Sequence, residues 1–356
     1  MPNNDTIFIV KHDILLQGID KYSEIIHDRI YYIKNKSLYY IQKNEIILNQ
    51  YKEKKDITPE GDIISMFSFN ENLYILIQKE KYVTIYKKIK RNYKKIYKHL
   101  YIKTEQYCTY HNNKYLCFFS KNKHTNKNCI FIIDKKDNII EYAYNEAIDH
   151  IHAVFFDKEN IFMAVGDDPH KVVKCEVIDC NENLLEPQKW KFSDLFYYPV
   201  YKIFKSGKEI LFAEDGRTVL FNLDKNLIFK DIEEQNSGFQ IAAQQFLGRP
   251  DINVIGTWRR NENHPYACIY IFKYNIQIYK YVDTTIHISN SNPWTGFNLM
   301  KCGQNIANEV FMPNTGGGKS VYMKAYSSFD DITNEVELTQ YSISYCKNSI
   351  TIYDHI

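Results

Sequence analysis

Short runs of β-branched and aromatic residues recur along the whole chain, at a spacing of roughly 40 to 50 residues. "RIYYIKN", "NLYILIQ", "KYVTIYKK" and "CIFIID" are typical, and several alternate apolar with polar residues as a half-buried strand does. Asn, Asp, Lys and Gly stand between them at hairpin connections, the clearest being Asp215-Gly216 in "AEDGRTVLF", which suits a type I′ turn. No stretch keeps an apolar period of 3.6 residues. Each repeat opens with a strand apolar on both faces, at Ser23–Asp28, Asp62–Phe69, Glu105–Tyr110, His150–Phe156, Pro199–Phe204 and Phe239–Phe246. A hairpin pair and usually a more polar fourth strand follow. One such unit cannot bury both of its faces, so the units must close into a ring.

The reading is an all-β chain forming a single β-propeller domain over residues 1–356. The count of units is seven, with six as the alternative, because the last repeat from about Thr285 is long and irregular. The strand Thr6–Val10 is expected to pair with the last blade near Ser349–Asp354, closing the ring and removing two open edges. "EIILNQ" reads as a further strand, and short helical turns are expected at "KWKFSDLF" and "SSFDDITNE".

Regular spacing of this kind resembles the WD-repeat propellers over nearly the whole chain. The likeness is architectural: no Gly-His opens the units, no Trp-Asp closes them, and Trp190, Trp258 and Trp294 are not at equivalent places. Membership would imply a rigid scaffold that binds other proteins by its top face, rim or blade edges. "PNTGGGKSVYMK" (313–324) is similar to the phosphate loop of MutS-type mismatch-repair ATPases, with Met312 in place of the first Gly and one Gly added. A phosphate loop needs a helix after it, so that amide groups and the helix dipole converge on the anion. "SVYMKAY" alternates like a strand, so the glycines read as a hairpin turn.

Charge excludes little. Lys and Arg total 45 against 43 Asp and Glu, a net charge of +2, so no global field selects nucleic acid or membrane. Much of the Ile, Lys, Asn, Tyr and Phe excess is what A/T-rich codons encode. No apolar run reaches the roughly 18 residues of a membrane span, and no leader pattern opens the chain, which places it in cytoplasm or nucleus unless a leader has been removed. A two-residue turn at Asn112-Asn113 would set Cys108 opposite Cys117, where a disulfide could form in an oxidising compartment. Two reduced, buried thiols are the plainer expectation.

Several segments carry functional chemistry on paper. Lys87–Lys103 holds eight Lys or Arg, one His and no acid, interleaved with Tyr93, Tyr97 and Tyr101. Lys87, Lys88, Lys90, Arg91, Lys94, Lys95 and Lys98 are therefore candidate contacts to RNA, another polyanion or an acidic protein. Trp258, Arg259 and Arg260 form a second candidate contact loop, because Trp and Arg are enriched at interface hot spots. His150 and His152 fall on one strand face and could ligate zinc if a third ligand arrived. Asp167, Asp168 and His170 in "GDDPHK" suit a cation or a hydrolytic site as well as a tight turn. No nucleophile elbow, Cys-His signature or dinucleotide fingerprint is present, and no cofactor or metal is assigned.

The expected function is a non-catalytic interaction scaffold, a subunit of a larger intracellular assembly with protein partners. One alternative is a secreted or surface adhesin carrying the Cys108–Cys117 bridge. Another is a propeller enzyme with its site at the central channel, around His150 and His152.

Overall fold

In the computed structural model the described residues are 7–100, 110–111, 115–121, 127–144, 148, 150–157, 160–166, 169–177, 190–206, 208–215, 219–230, 240–246, 252–259, 267–273, 276–283, 295–297, 308–315, 318–326, 328, 330–332, 341–346 and 349–354. They form an all-β propeller. β1 (Ile7–Ile14) precedes six blades built from consecutive strands. The first blade is β2 (Ile19–Ile26), β3 (Arg29–Lys34), β4 (Ser37–Gln42) and β5 (Lys54–Lys55), with helix α1 (Lys43–Ile47) between its last two strands. The second is β6 (Asp62–Phe69), β7 (Asn72–Lys79), β8 (Tyr82–Ile89) and β9 (Asn92–Leu100). The third is β10 (Tyr110–His111), β11 (Tyr115–Lys121), β12 (Asn128–Asp134) and β13 (Ile139–Ala143). The fourth is β14 (His150–Asp157), β15 (Asn160–Gly166), β16 (Lys171–Val177) and β17 (Trp190–Phe196). The fifth is β18 (Val200–Ser206), β19 (Glu209–Glu214), β20 (Val219–Asn222) and β21 (Leu227–Lys230). The sixth is β22 (Gln240–Phe246), β23 (Ile252–Arg259), β24 (Ala267–Lys273) and β25 (Ile276–Asp283), with β26 (Thr295–Gly296) added beside β23.

Six blades thus stand where seven are expected, in line with the alternative count: the irregular last repeat and β1 instead form a composite sheet that joins the two ends of the chain. β27 (Glu309–Met312), β28 (Ser320–Tyr326), β29 (Tyr341–Cys346) and β30 (Ser349–Asp354) take up β1 in the order β27-β28-β1-β30-β29. The expected pairing of the first strand with Ser349–Asp354 is present, and it is parallel. Sequence periodicity did not show that β1 would also pair antiparallel with β28, from Phe8↔Tyr326 to Ile14↔Ser320. β1 is thus an interior strand of the sheet, and its successive residues Ile9 and Val10, on opposite faces, are both buried.

Burial follows position in each sheet. First strands lie against those of the neighbouring sheets, β2 against β6 and β27, and β18 against β14 and β22. Middle strands such as β12 and β24 are buried on both faces, which explains their unbroken Ile, Cys, Phe and Tyr runs. Outer strands are mixed. Tight hairpins hold the registers: Asn70 and Glu71 take φ of 50° and 60° between Phe69 and Asn72, the left-handed pair of a type I′ turn.

One irregularity repeats. The register skips a residue between Ile63 and Ser65, Ile151 and Ala153, Val200 and Lys202, and Ile241 and Ala243. Ile64, His152, Tyr201 and Ala242 are therefore bulge residues at equivalent places in four inner strands, where the extra residue bends the strand.

Three local expectations are corrected. "KWKFSDLF" is not a helical turn: Trp190–Phe196 is strand β17, paired with β16, and its weak alternation reflects an edge exposed in the middle. "EIILNQ" is not a strand, since its start belongs to α1, whose Ile46 is 1% exposed beneath the turn. Tyr110, not Cys108, stands opposite Cys117, so the hairpin register is shifted by two residues from the expected one; Cys108 itself lies outside the described residues. Cys129, Cys175 and Cys268 are buried thiols outside any disulfide. Burial pushes the Cys175 thiol up to about 12. The Asp215-Gly216 turn also falls largely outside the described residues, whereas 330–332 of "SSFDDITNE" is a helical turn.

Candidate functional site

The basic segment is the outer hairpin of the second blade. β8 and β9 pair from Tyr82↔Leu100 to Ile89↔Asn92, with a register shift between Ile85 and Tyr86. That shift sorts the side chains. Lys88, Tyr93, Lys95 and Lys98 share the face toward the first blade, while Lys87, Lys94 and Tyr97 share the face toward the third.

On each face a carboxylate from the neighbouring blade holds one lysine and one tyrosine. Asp56, just after β5, accepts from Lys88 Nζ and, at 2.6 Å, from Tyr93 Oη. Asp137, in the β12–β13 turn, accepts at 2.6 Å from Tyr74 Oη and at 3.0 Å from Lys87 Nζ. Side chains of both ion pairs are 9% to 16% exposed, so the pairs are held largely away from solvent. Burial raises the phenols of Tyr74 and Tyr93 far above the ordinary tyrosine range, and the acceptor carboxylates add to the shift. Tyr97 Oη donates to Glu141 of the third blade at 3.1 Å, and its ring meets Phe131 edge-on. Burial raises that phenol to about 12.

Of the seven predicted cations, Lys87 and Lys88 are therefore inter-blade clamps. Lys98 lies 3.8 Å over the Tyr82 ring. Lys90, Arg91, Lys94 and Lys95 are exposed and have no ion-pair partner among the described residues. Two exposed isoleucines accompany them, Ile89 (45%) at the hairpin end and Ile57 (87%) beside Asp56. β9 has β8 as its one neighbour among the described strands.

The second predicted contact is placed differently from expectation. Trp258 and Arg259 are not in a loop but in β23, with Trp258 opposite both Gln240 and Gly296 and Arg259 opposite Thr295. Arg260 lies outside the described residues.

A second polar group sits where the fourth and fifth blades meet. His150 and His152 are brought together, ring centroids 4.7 Å apart. His152 is 3% exposed, and its Nδ1 lies 2.9 Å from the Val200 carbonyl. A carbonyl can only accept, so Nδ1 carries the proton and Nε2 is directed elsewhere. Asp215 Oδ2 lies 3.8 Å from that Nε2, and the Tyr201 ring packs at 5.2 Å. Gly166 makes room: a Cβ there would lie 2.4 Å from His152 Nε2 and 2.7 Å from His150 Nε2. Among the described residues no three His, Cys, Asp or Glu form a group able to hold a metal ion. Asp167 and Asp168 lie outside the described residues, and His170 is exposed.

The loop-like "PNTGGGKSVYMK" runs into β28, a strand where a phosphate loop would need a helix. Asn314 there is buried, bridging Phe297 and donating its N–H to Ser320 Oγ at 3.2 Å. No helix among the described residues is long and apolar enough to cross a membrane.

No family model matches the chain, and no curated protein does. Among solved structures it is similar to virginiamycin B lyase from Staphylococcus aureus, at 12% identity and a TM-score of 0.54, over 89% of this chain and 99% of that one. It is also similar to the Myceliophteria thermophila Cps50 (Swd1) β-propeller domain, at 9% identity and a TM-score of 0.52, over 87% of this chain and 97% of that one. Kluyveromyces lactis Hsv2 matches at 9% identity and a TM-score of 0.52, over 96% of this chain and 98% of that one. Likeness at such identity establishes the propeller fold.

Proposed function

We propose that the chain is a non-catalytic interaction scaffold, a divergent propeller of WD-repeat type. It works inside the cell as a subunit of a larger assembly, and the second-blade rim is its contact surface. The observation that carries this reading is the contrast along one hairpin. Lys87 and Lys88 lock the blades together, while Lys90, Arg91, Lys94 and Lys95 stand in solvent beside two exposed isoleucines. A ring that holds such a rim rigidly lets a partner bind with little ordering cost.

Native affinity purification at moderate salt, with and without nuclease, followed by mass spectrometry, tests it. Stoichiometric proteins that survive nuclease are the expected result; a protein that emerges alone sinks the subunit reading. Titration of eight thiols on the unfolded chain would eliminate the disulfide-bearing adhesin.

A second reading, an enzyme near the central channel, is favoured by one geometry. His152 has its tautomer set by the Val200 carbonyl and its Nε2 turned toward Asp215. Any turnover found with the protein would then vanish in His152→Gln, while co-purifying partners would remain.

A further inference from the structure

The rim of the second blade also carries information about which class of partner it fits. A nucleic-acid surface combines cations for the backbone with aromatic faces on which bases stack. Here the cations are present, but Tyr93 and Tyr97 are engaged within the ring, and Tyr101 lies outside the described residues. Tyr93 gives its hydroxyl to Asp56 and has Lys88 Nζ 4.7 Å over its ring. Tyr97 gives its hydroxyl to Glu141 and its ring to Phe131. What the rim presents instead is cationic and aliphatic: Lys90, Arg91, Lys94 and Lys95, flanked by Ile57 and Ile89. Asp56 receives Lys88, so Ile57 and Ile89, each next in sequence to one partner of that ion pair, lie at the same end of the blade. Alongside runs the outer edge of β9, whose peptide groups face no described strand. An aliphatic contact and a strand edge are of no use to a phosphate backbone. Both serve an extended polypeptide.

We infer that this rim binds an extended segment of a partner protein in which pairs of acidic residues are separated by single apolar ones, laid along the edge of β9, so that acids reach both sheet faces. The acidic side chains meet the four unpaired cations, and the apolar ones cover Ile57 and Ile89. The register shift opposite Ile85 and Tyr86 limits a regular backbone ladder to the stretch from Asn92 to Lys95. Side-chain charge therefore supplies most of the selectivity. Lysines on an edge also repel other edges of like charge, so the surface refuses a second copy of itself while accepting an acidic strand.

The inference rests on the scaffold reading and is tested separately from it. Fluorescence anisotropy would compare a short labelled peptide of Glu-Glu-Leu repeats with an oligouridylate of matched length, both against the full chain. The expected result is tighter binding of the peptide, weakening as salt rises. Lys94→Glu with Lys95→Glu should lower peptide affinity about tenfold or more. Ile57→Ser with Ile89→Ser should lower peptide affinity several-fold and leave the oligouridylate unchanged. All four positions are exposed, and circular dichroism with thermal melting checks that each variant is folded. Oligouridylate bound as tightly as the peptide, no response to charge reversal, or no peptide binding would each overturn the inference. If co-purifying proteins stay bound to the charge-reversed variant, the scaffold reading stands and this inference falls. If the unaltered protein retains none, the scaffold reading falls and the peptide titration still decides the chemistry of the rim.

Discussion

The rim of the second blade and the seam between the fourth and fifth blades are both rich in polar side chains, yet they treat them in opposite ways. At the seam the polar atoms are turned inward. His152 is 3% exposed against the Val200 carbonyl, and Gly166 leaves no slack beside the two imidazoles. At the rim, two lysines are drawn in to carboxylates of neighbouring blades, and the next four cations are left in water. Residue type alone therefore does not separate structural from available charge. The distance to a carboxylate on another blade does.

If that contrast is right, a change at the seam costs most and a change at the outer rim costs least. Gly166→Ala should destabilise the fold by about 3 kcal/mol, because the added methyl collides with a buried imidazole that the Val200 carbonyl holds in place. A urea melt measures it, and a loss below about 1 kcal/mol would mean the seam is looser than described. Asp56→Ala removes the acceptor of Lys88 and Tyr93 together and should cost about 2 kcal/mol, less than a fully buried pair because both partners keep some solvent.

The clamps also set a pH limit. Folded-state phenols raised above the unfolded value keep protons that the unfolded chain releases at high pH. Their contribution is thus complete below about pH 10 and is lost progressively above it. Urea midpoints should fall between about pH 8 and about pH 11, and a Tyr74→Phe, Tyr93→Phe variant should show a shallower fall. A smaller effect of opposite sign is expected at the β6–β7 turn. Glu71→Gly relieves a left-handed non-glycine residue and should raise stability by about 0.5 to 1 kcal/mol in a thermal melt. Smallest of all, Lys94→Ala and Lys95→Ala should change stability by less than about 0.5 kcal/mol each. A larger loss would show that these cations are structural after all.

How far the sequence foretold this depends on the range of the forces involved. Strand alternation and turn chemistry are local, so the inner strands at Asp62–Phe69 and His150–Phe156 were legible almost to the residue. α1 was not, because Ile46 and Ile47 suit a buried helical turn and a short strand equally well. β17 was misread since an outer strand with three successive exposed residues has no alternation to detect. The clamps were out of reach altogether. Asp56 lies 32 residues from Lys88 and Asp137 lies 50 from Lys87, and only the stacking of blades brings them together. The side-by-side histidines were foreseen; the repeated bulge at His152 left no sign in the residue pattern.

The position of β1 inside the composite sheet has a consequence for biosynthesis. Its two neighbours, β28 and β30, are made roughly three hundred residues after it, as the pairings Ile14↔Ser320 and Ile7↔Ser349 require. Until those strands are made, this strand lacks both of its sheet neighbours. The ring cannot lock until the last hairpin has left the ribosome. A nascent chain of this design leaves the edges of Ile7–Ile14 without their partners until β28 and β30 are made, and fragments that lack those strands are the species expected to aggregate.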